Sequence, residues 1–112
     1  MNNRLEIKLW LAHRLTGMAL GLFVIIHLIT IMIVIQGGLS AAEIMERTSS
    51  NFIVAIFYGL FVVAAAVHSA IGLRTVAQEV LKWNGTCLNV VILTFFSFLC
   101  VVGMAAIIGL VL

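Results

Sequence analysis

The chain has 112 residues, of which 64% are hydrophobic and 9% charged, with no proline, and its mean hydropathy is +1.30. Six Lys/Arg and four Asp/Glu cannot solvate the surface of a soluble domain, in which about 25% of residues are charged. A soluble enzyme, a nucleic-acid binder and a disordered chain are thereby excluded. In lipid every backbone polar group must be satisfied within the fold, which leaves helices or a closed barrel. Long apolar runs without alternation select helices. The expected fold is an all-α integral membrane protein of three transmembrane helices, forming a single anchor domain over residues 1–112.

Residues Met1 to Leu9 carry Arg4, Glu6 and Lys8 with Leu5, Ile7 and Leu9 alternating, and read as a short interfacial segment. The first span is expected over about 13–35, long enough for a hydrocarbon core of about 30 Å, with Trp10 at the headgroup level. Gln36-Gly37-Gly38 ends it. Ser40 with Glu43 three residues on is a capping-box pattern, which predicts a surface helix over about 41–48. Asn51 can cap a second span over about 52–74, with a helical extension through Glu79 to Trp83. Asn84-Gly85 is a turn, and the third span follows over about 88–111. Gly38-Leu39-Ser40 before Ala41 has the small-x-small pattern of a signal-peptidase site. The first apolar run is longer than a signal peptide's, and it holds His27, so it reads as a retained span.

With three spans, Arg4, Lys8, Arg14, Arg74 and Lys82 fall on one side and Arg47 alone on the other. This asymmetry places the N-terminus in the cytoplasm, or the equivalent compartment, and the expected location is the inner (cytoplasmic) membrane. Cys87 and Cys100 lie in one apolar run about 20 Å apart on a helix, too far for a disulfide. There is no CxxCH for covalent haem attachment and no cysteine cluster for an iron–sulfur centre.

Ionisable residues inside a membrane mark function. His27 lies deep in span one and His68 in span two, while His13 and Arg14 edge the first span and Arg74 the second. Helical spacing puts Phe61, Ala64, Ala65, Gly72 and Thr75 on the face of His68. Such small neighbours open a slot for a flat macrocycle ligated by the imidazole, or allow close helix packing around a hydrogen-bonded His. His27 shares a stripe with His13, Thr16, Leu20, Phe23 and Thr30 that should face protein. It is a ligand, a proton carrier or a hydrogen-bonded strut. Gly17 and Gly21 form a GxxxG on a neighbouring face, a close helix contact. The third span offers only Thr94, Ser97 and Cys100, and reads as packing.

If Arg14 and Arg74 share one interface, His27 stands about 20 Å above it and His68 about 9 Å, a difference of about 10 Å. One iron cannot take both imidazoles at that offset. Two haems at two depths, or one histidine ligand, remain, and in both cases the missing axial ligands come from a second chain.

Two motifs then stand out: His13-Arg14-Leu15-Thr16-Gly17 opening span one, and His68-Ser69-Ala70-Ile71-Gly72-Leu73-Arg74 closing span two. With them the chain resembles, over nearly its whole length, the cytochrome b membrane-anchor subunits of succinate dehydrogenase and fumarate reductase. The resemblance implies that His68 is an axial ligand of haem b. It places His13 and Arg14 near the haem propionates and an inner quinone site, with Arg74 among the cofactor-binding residues and Trp10 among those of the quinone site. One-haem members often carry Ser four residues before that Arg, where this chain has Trp10. Gly17 to Leu28 is similar to the first helix of two-haem members, which implies that His27 holds an outer haem. Glu46 lies where two-haem relatives carry a quinol-site carboxylate; the alternative is a solvated residue of the surface helix.

The implied assembly is a larger helical bundle with a second membrane-anchor subunit that supplies the other haem ligands, embedded in membrane lipids. An iron–sulfur subunit and a flavoprotein would dock on its inner face, with quinone as substrate and no nucleic acid involved. The expected content is two haems b per complex, or one. The chain is not an enzyme alone: it has no nucleotide-binding loop, no flavin site and no cluster cysteines. The expected function is the anchor of a succinate:quinone oxidoreductase. The alternatives are the anchor of a quinol:fumarate reductase, and a haem-free scaffold or transporter subunit.

Overall fold

The computed structural model describes residues 3–112. Four helices follow one another: α1 (Asn3–Gly37), α2 (Ala41–Thr48), α3 (Phe52–Val80) and α4 (Thr86–Val111). No strand occurs among the described residues. Three of these helices, α1, α3 and α4, are long and apolar enough to cross a membrane, and the bundle measures 51 × 23 × 23 Å.

The segment before Trp10 is not separate. From Asn3 onward it forms the first turns of α1. Neither Gly nor Pro interrupts it, and Leu, Glu, Lys and Arg are good helix formers, so the alternation of Leu5, Ile7 and Leu9 is overridden. The helix ends where Gly38 takes φ +66. The N–H groups of Gly38 and Leu39 then return to the carbonyls of Ile35 and Val34 at 3.2 and 3.3 Å, the glycine-dependent termination expected of a helix whose last carbonyls need donors.

Helix α2 begins with a reciprocal cap: the Glu43 N–H donates to Ser40 Oγ at 3.2 Å and the Ser40 N–H to Glu43 Oε1 at 3.3 Å. Its far end is tied to the end of α4. The Thr48 hydroxyl donates to the Leu110 carbonyl at 2.9 Å and the Ser50 N–H to the Val111 carbonyl at 2.7 Å. These are carbonyls that a helix leaves orphaned at its C-terminus, so α2 is held across the end of the bundle where α4 terminates. Asn51 Oδ1 then accepts from the N–H groups of Ile53 and Val54 at 3.1 and 3.2 Å and starts α3. Helix α3 stops at Val80, short of Trp83. Lys82 turns left-handed at φ +55, and Trp83 folds back against Ala70, Ala77, Leu88 and Ile92.

Helix α3 lies between α1 and α4. Small residues set the α3–α4 seam: Ala66, Ala70 and Ala77 are buried there with Leu88 and Ile92, which lets two backbones approach without lipid between them. A Cβ at Gly103 would collide with Val62, so α4 has glycine where it crosses α3 most tightly. Helix α1 buries no residue fully. Leu22, Ile25, Ile29 and Met32 on its outward side are exposed, an apolar surface that lipid or another membrane chain covers.

Candidate functional site

Nearer the N-terminus of α1 and the C-terminus of α3, the two helices meet through two imidazoles. The rings of His13 and His68 stack with centroids 4.1 Å apart and planes 13° from parallel. Each ring lies over the glycine that follows the other histidine by one turn. A Cβ on Gly17 would stand 3.0 Å from His68 Cε1, and one on Gly72 would stand 3.3 Å from His13 Nε2. The two H-x3-G segments run antiparallel, so each supplies a ring and a seat. Gly21 has open space around it instead. The expected GxxxG contact is therefore replaced, within this chain, by Gly17 seating an imidazole.

The orientation of His68 has a chemical consequence. Its Nδ1 lies 3.0 Å from the backbone oxygen of His13. A carbonyl oxygen only accepts, so Nδ1 carries the proton and Nε2 keeps its lone pair. Thr16 Oγ1 stands 3.4 Å from the same nitrogen and donates to the Ala12 carbonyl at 2.7 Å.

Toward the start of α1, Arg74 Nη1 is 3.7 Å from Glu6 Oε1, with the Arg74 side chain 12% exposed. Arg74 Nε also points at Asn89 Oδ1, 3.5 Å away. Arg14 is exposed, and its guanidinium carbon lies 5.7 Å from the Trp10 ring centroid, a cation–π contact. A cavity of 390 Å³ opens here, lined by Glu6, Trp10, His13, Gly72, Arg74 and Thr75 among others.

The half of the α1–α3 interface toward the end of α1 and the start of α3 is aromatic. Phe23 meets Phe57 edge-on at 5.3 Å and stacks on Phe61 at 5.7 Å. Next comes His27, whose Nδ1 is 3.1 Å from the Tyr58 hydroxyl. The stripe of Thr16, Phe23 and His27 thus faces α3, as its helical spacing implies. Beyond it a cavity of 550 Å³ is lined by His27, Thr30, Tyr58, Arg47 and Thr48 with apolar residues of α1, α2 and α4. Glu46 is exposed on α2 and does not line it; Arg47 does. Tyr58 was not singled out by the sequence reading, although a lone tyrosine in an apolar span was a visible signal.

These pairings correct the depth inferred from sequence. Arg14 and Arg74 are not level, because Arg74 pairs with Glu6 below Arg14. His13 is level with His68 and His27 with Tyr58. The step from His68 to the level of His27 is therefore about 15 Å measured along α3 from Tyr58, and about 21 Å measured along α1 from His13, rather than about 10 Å. His68 also does not stand alone among the histidines at its level.

No group of three or more His, Cys, Asp or Glu side chains that could hold a metal ion occurs among the described residues. No curated protein and no solved structure matches the chain. The family model described as succinate dehydrogenase/fumarate reductase transmembrane subunit matches residues 1–109. The fold, its three long apolar helices and this match agree, and the chain belongs to the succinate dehydrogenase/fumarate reductase transmembrane subunit family.

Proposed function

We propose that the chain is the haem b-binding membrane anchor of a succinate:quinone oxidoreductase. It would dock an iron–sulfur subunit, which in turn carries a flavoprotein, on its N-terminal side in the cytoplasm. Electrons would pass between that subunit and quinone in the inner membrane. The observation that carries this reading is the bond from His68 Nδ1 to the His13 carbonyl. Histidines that ligate metals donate their second ring N–H in this way, which fixes the tautomer and aims the other nitrogen. His68 would therefore hold an inner haem through Nε2, and His27, whose Nδ1 meets the Tyr58 hydroxyl, would hold an outer one. Bound haem b supplies a one-electron carrier.

What the chain itself does is hold and orient. The His13 and His68 rings stack face to face 4.1 Å apart, so as packed here they would not grip one iron between them. His27 is a further 15–21 Å away by about 1.5 Å per residue. Each iron's second axial ligand is thus assigned to a second anchor subunit, which the exposed face of α1 can accommodate. Arg14, exposed beside Trp10, is placed to meet propionates or a quinone headgroup through charge-assisted hydrogen bonds. Arg74 and His13 line the inner cavity and keep its apolar walls polar at one end.

A fumarate-reducing direction uses the same parts. A haem-free scaffold or transporter subunit does not, and a visible spectrum separates it. The complex purified through this chain, reduced with dithionite, is expected to show a b-type α-band and to contain flavin. A complex without either would overturn the assignment.

Orientation is tested independently. A reporter fused after Leu112 is expected to read outside the cytoplasm, and one inserted at Asn84-Gly85 inside it, because Arg4, Lys8, Arg14, Arg74 and Lys82 oppose Arg47 alone. The reverse pattern would put the Glu6–Arg74 pair at the wrong surface for docking the iron–sulfur subunit.

A further inference from the structure

We propose that Tyr58 is a positioning residue for the outer haem: its phenol oxygen accepts the Nδ1–H of His27, fixes the imidazole plane and holds that haem's reduction potential down. The assignment rests on the reading of His27 as a haem ligand.

Tyr58 is the one tyrosine of the chain, and it sits in a cluster of phenylalanines. Phe57 meets its ring edge-on at 5.0 Å, and Phe61 stacks on it at 6.4 Å. A phenylalanine at position 58 would fill the same space and spare the desolvation of a hydroxyl, which costs free energy in an apolar setting unless it is bonded. The hydroxyl is bonded to His27 Nδ1 at 3.1 Å. Among the described residues that is the hydrogen bond seen for either side chain. Thr30, the nearest polar residue of α1 on that side, donates to its own helix at the Ile26 carbonyl, 2.9 Å away. The rings of Tyr58 and Phe61 both stand edge-on to the imidazole, at 5.6 and 5.8 Å and 88°. They hold it from two neighbouring turns of α3 while the hydroxyl sets its rotation.

The tautomer follows from the ligand geometry. If Nε2 gives its lone pair to iron, the ring proton sits on Nδ1, and the Tyr58 oxygen must accept it. The phenol's own hydrogen then turns away from the imidazole, toward the cavity that Tyr58 shares with Arg47 and Thr48. An acceptor on Nδ1–H makes the imidazole a stronger donor to the metal, and a stronger axial donor favours ferric over ferrous iron. At the inner level the same task falls to a backbone oxygen, that of His13, which no side-chain substitution removes. The two haems are therefore tuned by different acceptors, and only the outer one is open to a change at position 58.

The test is a potentiometric titration of the α-band in membranes holding the assembled complex, for wild type, Tyr58→Phe and His27→Ala. His27→Ala identifies the outer component as the one it removes. Tyr58→Phe is expected to keep that component and to shift its ferric/ferrous equilibrium about threefold to tenfold toward ferrous, the size of one neutral hydrogen bond. That is an upward shift of about 30–60 mV at 59 mV per tenfold. Its low-spin ferric EPR signal should move with it, and the other haem should show neither change. Selective loss of the outer haem from Tyr58→Phe would make the hydroxyl a requirement for assembling that site and overturn its role in setting the potential. Unchanged potentials and EPR signals with both haems present would reduce the hydroxyl to a helix brace, and loss of both haems would make it a folding element; either overturns the proposal. His27→Ala with no haem lost would overturn the reading of His27 itself.

Discussion

His68→Ala is expected to remove the inner haem and to lower the b-type α-band of the assembled complex by about half, if two haems contribute equally. The substitution deletes the nitrogen aimed by the His13 carbonyl, and with it the ring that covers Gly17 and stacks on His13. His13→Ala should behave differently. The acceptor for His68 Nδ1 is the backbone oxygen of residue 13, which alanine retains, so the haem should stay while its surroundings loosen. Haem extracted per flavin, measured for both variants, separates the roles. Because His13 lies level with His68, a full low-spin spectrum in His68→Ala would transfer ligation to His13, and the double variant would then lose the haem. If the double variant also kept it, neither histidine would be a ligand and the pair would be a helix clasp.

The difference between these two histidines shows where the sequence was legible and where it was not. Helical periodicity placed His27, Phe23 and Thr16 on one stripe, and the structure turns that stripe toward α3. Capping residues announced themselves: Ser40 with Glu43, and Asn51, all make the bonds their side chains suit. Periodicity fixes a face but not the offset of one helix along another. The equal-depth assumption for Arg14 and Arg74 failed for that reason. The offset is set by specific contacts, two histidines on two glycines and an ion pair from Glu6 to Arg74. A clue was present in the spacing itself. Glycine follows histidine by four residues in both helices, and antiparallel packing makes each segment the seat of the other's ring. The segment read as a short interfacial piece is instead continuous with α1 from Asn3, because its alternation of apolar residues says less than the good helix propensity of its Leu, Glu, Lys and Arg. Tyr58 went unnoticed because a tyrosine among apolar residues looks like packing until its hydroxyl is seen to meet His27.

The corrected offset sharpens the expectation for His27. With His13 level with His68 and Tyr58 level with His27, the two histidine levels stand about 15–21 Å apart along the helices. That separation excludes a shared iron more firmly than the smaller step inferred from sequence, and it leaves room for two macrocycles in the same interface. The outer level has what a second site needs: an imidazole oriented at Nδ1, an adjoining cavity of 550 Å³, and Arg47 on its wall as a cation for an anionic group. Haem extraction from the complex is therefore expected to give about two haems b per flavin. His27→Ala should remove one of them while the His68-dependent component keeps its spectrum and potential. Tyr58→Phe should not mimic that variant, since it spares the ligating nitrogen. A ratio of one haem per flavin, with His27→Ala spectrally silent, would make His27 and Tyr58 a hydrogen-bonded strut between α1 and α3. The outer cavity would then have to be explained by something other than haem.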